Sequence, residues 1–224
     1  GQQVNLVELS VSDYLMSSAL DIHGLSQRDI KIMNTSDADA VASFTTPGVT
    51  AAALWNPQLS MVLKQSPTAV QVFTSREIPG EIIDMMAVNT ETLAANPELG
   101  KALVGAWFET LQLMSGDNAQ AIAARSSMAE RSGTDLRGYE DQLTQTMLFY
   151  TPTTAYEFAS SEAIRHTMDK VRTFSFAKGL LGQAATSADA VGMQFADGST
   201  LGDKNNIKLR FDTRFVNMAM TNQL

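Results

Sequence analysis

The chain is expected to fold as an α/β protein, and three observations carry that expectation. Residues 4 to 57 alternate apolar periods in the order strand, helix, strand, helix, strand. The third strand-like run, Val49 to Trp55, is apolar along its length, as strands covered on both faces of a parallel sheet are. Beyond residue 96 the apolar residues recur at helical spacing, so a mainly helical remainder follows the α/β unit.

The elements follow in order. Val4 to Leu9 is the first strand, and Ser10 to Asp13 supply cap chemistry for a helix through Tyr14, Leu15, Ala19, Leu20 and Ile22 that Gly24 closes. Asp29 to Met33 is a second strand, and Asn34-Thr35-Ser36-Asp37 opens a helix through Ala40, Val41 and Phe44. The turn Thr46-Pro47-Gly48 ends that helix before the strand Val49 to Trp55. Ala69 to Phe73 reads as a short strand, and Ile78-Pro79-Gly80-Glu81 as a turn into the apolar run Ile82 to Val88. Thr90 caps a short helix, and Asn96-Pro97-Glu98 starts a longer one with proline at its first position. Further helices are expected over 118–132, 136–146, 153–159 and 161–178, the last ended by Gly179 and Gly182. A short helix over 187–192, a loop over 195–203 and a final helix over 211–220 complete the chain.

Composition excludes several functions. The 224 residues are 44% apolar and 18% charged, ordinary globular values that argue against disorder. A formal charge of −8 with no basic run argues against nucleic acid as partner. Without cysteine there is no disulfide, thiolate metal site or cysteine nucleophile. No Gly-rich phosphate loop or metal-ligand spacing is present, so neither cofactor nor metal is expected. His23 and His166 stand outside any recognisable triad, so no catalytic residue is assigned. The twelve methionines lack the clustering of a copper site and are read as packing. No run reaches the ~18 apolar residues of a membrane span. The chain begins Gly-Gln-Gln and enters a core strand at once, which is expected of a processed, truncated or recombinant piece.

Several of these stretches coincide with one family. Ser10-Val11-Ser12 before Tyr14-Leu15-Met16, then Asp39 and Trp55-Asn56-Pro57, resemble the opening of the second lobe of nitrate/sulfonate/taurine-type substrate-binding proteins of ABC importers, and the resemblance continues through Ile78-Pro79-Gly80-Glu81 and Asn96-Pro97-Glu98 to Trp107-Phe108-Glu109. Phe174-Ser175-Phe176 and Gly198 to Asp203 look closest to the subgroup of urea transporters linked to urea carboxylase. The resemblance implies a periplasmic binding protein type II-like fold. Residues 1–80 would be the second-lobe α/β unit, and residues 81–224 the return crossover and helical remainder of the first lobe. It also implies export to the periplasm, an ABC permease as partner, and closure of two lobes around a small ligand by hinge motion. Family members are longer, and the first βαβ part of lobe one is missing here. Either a fragment or self-association that completes the truncated lobe is expected. Glu8 departs from the pattern, since anion-binding relatives often carry lysine there.

Candidate ligand-binding residues are those at strand ends, where ligands of open α/β lobes sit. Ser10, Val11 and Ser12 offer backbone N–H groups and hydroxyls, although helix capping alone explains both serines. Asp39 and Asp37 stand at the next strand end, where Asp37 also reads as a cap. Trp55 can stack on a planar ligand or pack in the core, and Asn56 offers both donor and acceptor. Glu81 and Asp84 form a carboxylate pair suited to a guanidinium, or a solvated surface. With Glu8, these acids make a field unfavourable to nitrate or sulfonate. A small nitrogen-containing solute, urea or guanidine-like, is the expected ligand. The alternatives are a nitrate/sulfonate/taurine-binding protein, a pyrimidine-precursor synthase-like enzyme on the same fold, and the ligand-sensing domain of a transcription regulator.

Overall fold

The central strand of the amino-terminal region is β1 (Gln3–Leu6), three of whose four residues are buried. The computed structural model describes the backbone of residues 1–224 and every side chain except that of Asp37. β1 pairs in parallel with β2 (Lys31–Asn34), Val4 standing opposite Ile32. Between them runs α1 (Val11–Ile22), capped by the Ser10 hydroxyl, which accepts from the Ser12 N–H at 3.1 Å. α2 (Asp37–Phe44) begins on Ser36.

The expected third strand contracts to a single parallel bridge between Asn5 and Ala52. Asn5 N–H donates to the Ala51 carbonyl at 3.0 Å, and Ala53 N–H to that of Asn5 at 2.9 Å. The order β2, β1, then residues 51–53 is nevertheless that of two βαβ units. The run 49–55 contains three consecutive alanines, which offer little side-chain surface to hold a longer ladder. Val4, Leu6 and Ala53 form the core here, with Met16, Ile30, Ile32 and Ala51 against them. After Trp55 the chain enters α3 (Gln58–Gln65).

Two expected extended elements are not strands. Residues 69–73 and 82–88 have no ladder partner, and Val70 and Val72 are 78% and 90% exposed. β-Branched residues favour a strand only where an edge exists to pair with. Val7 to Leu9, read as the end of the first strand, is instead a turn in which Leu9 adopts φ +60°.

The helical region contains α4 (Thr90–Ala95), capped by Asn89 rather than Thr90, and α5 (Pro97–Met114) with proline in its first turn. α6 (Ala119–Arg131), α7 (Leu136–Thr144), α8 (Pro152–Ala159) and α9 (Glu162–Ala177) start on Asn118, Asp135, Thr151 and Ser161, whose side chains accept from the first helical N–H groups. Arg125 joins α5, α6 and α7 from a largely buried position. It donates to Glu140 at 2.9 Å and to the carbonyls of Met114 and Gly116 at 2.7 and 2.6 Å.

A second sheet, ordered β4 (Thr200–Leu201), β3 (Gly192–Gln194), β5 (Ile207–Arg210), forms around the expected loop 195–203, which holds β4, while β3 begins at the end of the expected short helix 187–192. Its signals were a 3-residue strand too short for a period and glycines that read as loop. Gly198 and Gly202 supply the positive φ its turns need. This sheet covers Ile164 and Met168 of α9 through Phe195, with Ile83, Phe158 and Phe211 at the margin. The terminal helix α10 (Arg214–Met220) buries Phe215 against Gly100 of α5.

Candidate functional site

A narrow cleft, with about 10 Å³ of space open to water, lies where β1 and the bridging segment 51–55 reach their carboxyl ends. It is lined by Asn5, Leu6 and Val7 of β1 and its exit, Thr35 after β2, Ala40 of α2, residues 52–55, and Gln58 at the start of α3. Among the described residues this lining carries no charged side chain. The position follows from the topology. Parallel strands end together, and the chain must leave each one to begin a helix, so backbone and cap groups gather at that edge.

The polar groups of the cleft are tied together in a defined way. Asn5, 5% exposed in the middle of an apolar strand, receives Gln3 Nε2 on its Oδ1 and donates to Thr35 Oγ1, both at 3.1 Å. Thr35 in turn donates to the Met33 carbonyl at 3.2 Å. Gln58 differs: its Oε1 is buried and accepts from no protein group.

The expected site residues are distributed unequally around this cleft. Trp55 lines it and is half-buried. Asn56 follows directly, its Oδ1 accepting from the Ser60 hydroxyl at 2.7 Å. Ser10 caps α1 and donates to the Val7 carbonyl at 2.6 Å, whereas Ser12 is buried and Val11 is exposed. Glu8 is exposed, and its backbone N–H donates to Asn34. Asp39 accepts from the Ser36 hydroxyl at 2.6 Å, completing the start of α2. Asp84 is exposed. The Asp37 side chain lies outside the described residues.

Glu81 sits elsewhere, between α1 and α9. Tyr14 donates its hydroxyl to Glu81 Oε2 at 2.8 Å, and Lys170 forms an ion pair with Oε1. Both carboxylate oxygens are therefore engaged. Burial, followed by the hydrogen bond and charge of Glu81, pushes the Tyr14 phenol above its ordinary range. The ring also meets Phe174 edge-on at 5.2 Å. The expected acids do not converge, and among the described residues no group of three or more His, Asp or Glu side chains forms a metal cage.

Asp13 is the group that sequence reasoning passed over as cap chemistry. Its side chain is fully buried, and it holds the turn at the mouth of α1. Leu9 N–H donates to Oδ2 at 3.1 Å, Gln27 Nε2 to Oδ1 at 2.7 Å, and Lys178 reaches from the end of α9 to both oxygens at 2.9 and 3.0 Å. Asn5 did carry a signal, a polar residue between Val4 and Leu6. Gln58 and Lys178 carried none, because their roles depend on elements that meet only in the fold.

Among the described residues, no helix is long and apolar enough to cross a membrane. No curated protein sequence matches the chain. Among solved structures, it is similar to the alkanesulfonate-binding protein SsuA from Xanthomonas axonopodis pv. citri bound to MOPS. Identity is 21% and the TM-score 0.59, over 82% of this chain and 60% of that one. It is also similar to the periplasmic aliphatic sulphonate binding protein SsuA from Escherichia coli, at 18% identity and a TM-score of 0.61, over 82% of this chain and 59% of that one. The chain thus spans about 60% of the length of these structures, and the likeness establishes the α/β fold of periplasmic binding proteins. The model of the NMT1-like family matches residues 6–130, more than half of the sequence, and the chain belongs to the NMT1-like family.

Proposed function

We propose that the chain is part of the substrate-binding component of an ABC importer of the nitrate/sulfonate/taurine type, exported to the periplasm and working with a membrane permease. The observation that carries this reading is the cleft at the carboxyl ends of β1 and residues 51–55, in a fold shared with two sulfonate-binding proteins. Binding rather than turnover suits a lining of amide, hydroxyl, indole and aliphatic groups with no general base or nucleophile pair among the described residues. The two hydrophobic clusters, one within residues 4–53 and one spanning residues 83–211, support reading 1–80 and 81–224 as belonging to different lobes. Association with further polypeptide, a second copy included, would complete the lobe that the chain fills in part.

The ligand is a small nitrogen-containing solute of the urea or guanidine kind. An anion removed from water needs a compensating cation or several convergent donors, and the lining holds no lysine or arginine. Trp55 offers a ring face to a planar ligand, with Asn56 beside it and the Ser10 to Ser12 turn at the neighbouring strand end. A sulfonate is the second reading, favoured by the ligands named for the two structural neighbours.

Calorimetric titration of the full chain with urea, guanidinium, taurine and MOPS tests this. Saturable heat with urea or guanidinium and none with the sulfonates is expected. Micromolar binding of taurine or MOPS with silence for urea and guanidinium refutes the ligand class. Silence for all four refutes the receptor reading itself.

A further inference from the structure

Hydrogen bonds between residues 1–80 and residues 81–224 fall, among the described residues, in two places. The connecting segment is tied to the helices that follow it: Arg76 donates to the Thr144 carbonyl at 2.6 Å, and the Thr167 hydroxyl of α9 donates to the Gly80 carbonyl at 3.1 Å. The other bonds run from α1 and Gln27 to Glu81 and the end of α9. Lys170, Phe174 and Lys178 recur at single-turn spacing and so share one face of α9 and its cap. Against them stand Asp13 and Tyr14, consecutive in α1. Lys178 pairs with Asp13 and donates to Gln27 Oε1 at 2.7 Å, while the Tyr14 ring meets Phe174 and its hydroxyl donates to Glu81. Lys170 holds the other oxygen of Glu81, so a group of its own half aims that carboxylate at α1.

This seam differs in kind from the interiors on either side of it. The two hydrophobic clusters share no residue. Apolar contact is non-directional and lets two bodies slide, whereas charge-assisted hydrogen bonds hold at one geometry. Asp13 is fully buried and Glu81 largely so, which raises the cost of parting either from its partner. We propose that the seam between α1 and α9 is an electrostatic latch that fixes the orientation of the two lobes, with Tyr14–Glu81 and Asp13–Lys178 as its two ties. The proposal rests on reading residues 1–80 and 81–224 as different lobes. A hinge movement that parts α1 from α9 breaks both ties, so together they set the population of the orientation seen here. The Ser10 to Ser12 turn opens α1 and travels with it, which connects the latch to the strand ends.

The chain holds no cysteine, so introduced pairs carry spin labels at the chosen sites alone. Thr45→Cys with Glu130→Cys reports across the lobes; Asp21→Cys with Thr45→Cys, and Glu130→Cys with Lys204→Cys, report within each, all four positions being exposed. Pulsed electron resonance on the full chain gives the distance distributions, and circular dichroism checks each variant for native helix content. A narrow cross-lobe distance is expected with the native seam. Tyr14→Phe keeps the ring on Phe174 and removes only the hydroxyl. The ratio of other cross-lobe distances to the latched one is then expected to rise at least about tenfold, the effect of one hydrogen bond to a charged group. Adding Lys178→Met raises it further, while the within-lobe distances stay narrow. A cross-lobe distribution unchanged in Tyr14→Phe overturns the latch, as does one already broad with the native seam; either result leaves the two lobes standing. Within-lobe distances that broaden along with the cross-lobe one overturn the lobe reading, and the latch with it. Tyr14→Phe strands no buried charge, so its result decides the matter even if the double variant does not fold.

Discussion

Breaking the Asp13–Lys178 pair is expected to destabilise the chain by about 3 kcal/mol. Asp13 is fully buried and the Lys178 side chain is 20% exposed, so solvent screens the pair weakly. Lys178→Met keeps the aliphatic stem and removes the charge, leaving a carboxylate in the interior. Removing one partner of a buried pair costs about 3–5 kcal/mol, and the lower end applies because the Leu9 N–H and the Gln27 amide still reach Asp13. Asp13→Asn is isosteric, and the lysine it strands can turn toward water, so a smaller loss of about 2 kcal/mol follows. The double variant is expected to lose no more than Lys178→Met alone, giving a coupling of about 2 kcal/mol. Thermal melts followed by circular dichroism read the first loss as a fall of about 6–12 °C for a chain of this size. A melting temperature of Lys178→Met within a degree of wild type, or additive losses in the double variant, would refute the buried-pair reasoning.

Three other outcomes are expected. Arg125→Met strands the carbonyls of Met114 and Gly116 and unpairs Glu140, and should cost about 3 kcal/mol in a thermal melt. Gly100→Ala places a methyl 2.5 Å from the Phe215 ring, so α10 must shift; a loss of about 1–3 kcal/mol is expected, partly restored by Phe215→Leu. The raised Tyr14 phenol should stay protonated above pH 10 while the unfolded chain ionises there. Stability therefore falls as pH rises above about 10, and Tyr14→Phe should flatten that part of the profile in alkaline melts.

Helix starts were legible because they depend on neighbours in sequence. Ser10, Ser36, Asn118 and Ser161 each accept from an N–H two or three residues on, so the cap and its donor lie in one short window. Strands were less legible, since a strand exists only with a partner. Val70 and Val72 have the right residues and no edge to join, while Met193 pairs with both Leu201, from the expected loop, and Leu209, from a stretch that carried no strand signal. For the cleft, Trp55 stands at the end of an apolar run visible in one short window, whereas the partners of Glu81, Tyr14 and Lys170, are 67 and 89 residues away along the chain and left no local signal.

Local pattern and composition alone determined the α/β class, the order of the first two βαβ units, the helical remainder and the exclusion of cysteine chemistry. These follow from periodicity, caps and residue content, which are properties of short windows or of composition. Which polar groups end up paired was settled only when α9 came against α1 and residues 51–58 against β1. Burial gives a hydrogen bond or a charge its weight, and burial arises where distant segments meet. Asp13 thereby became an anchored carboxylate, and Gln58 a buried amide oxygen.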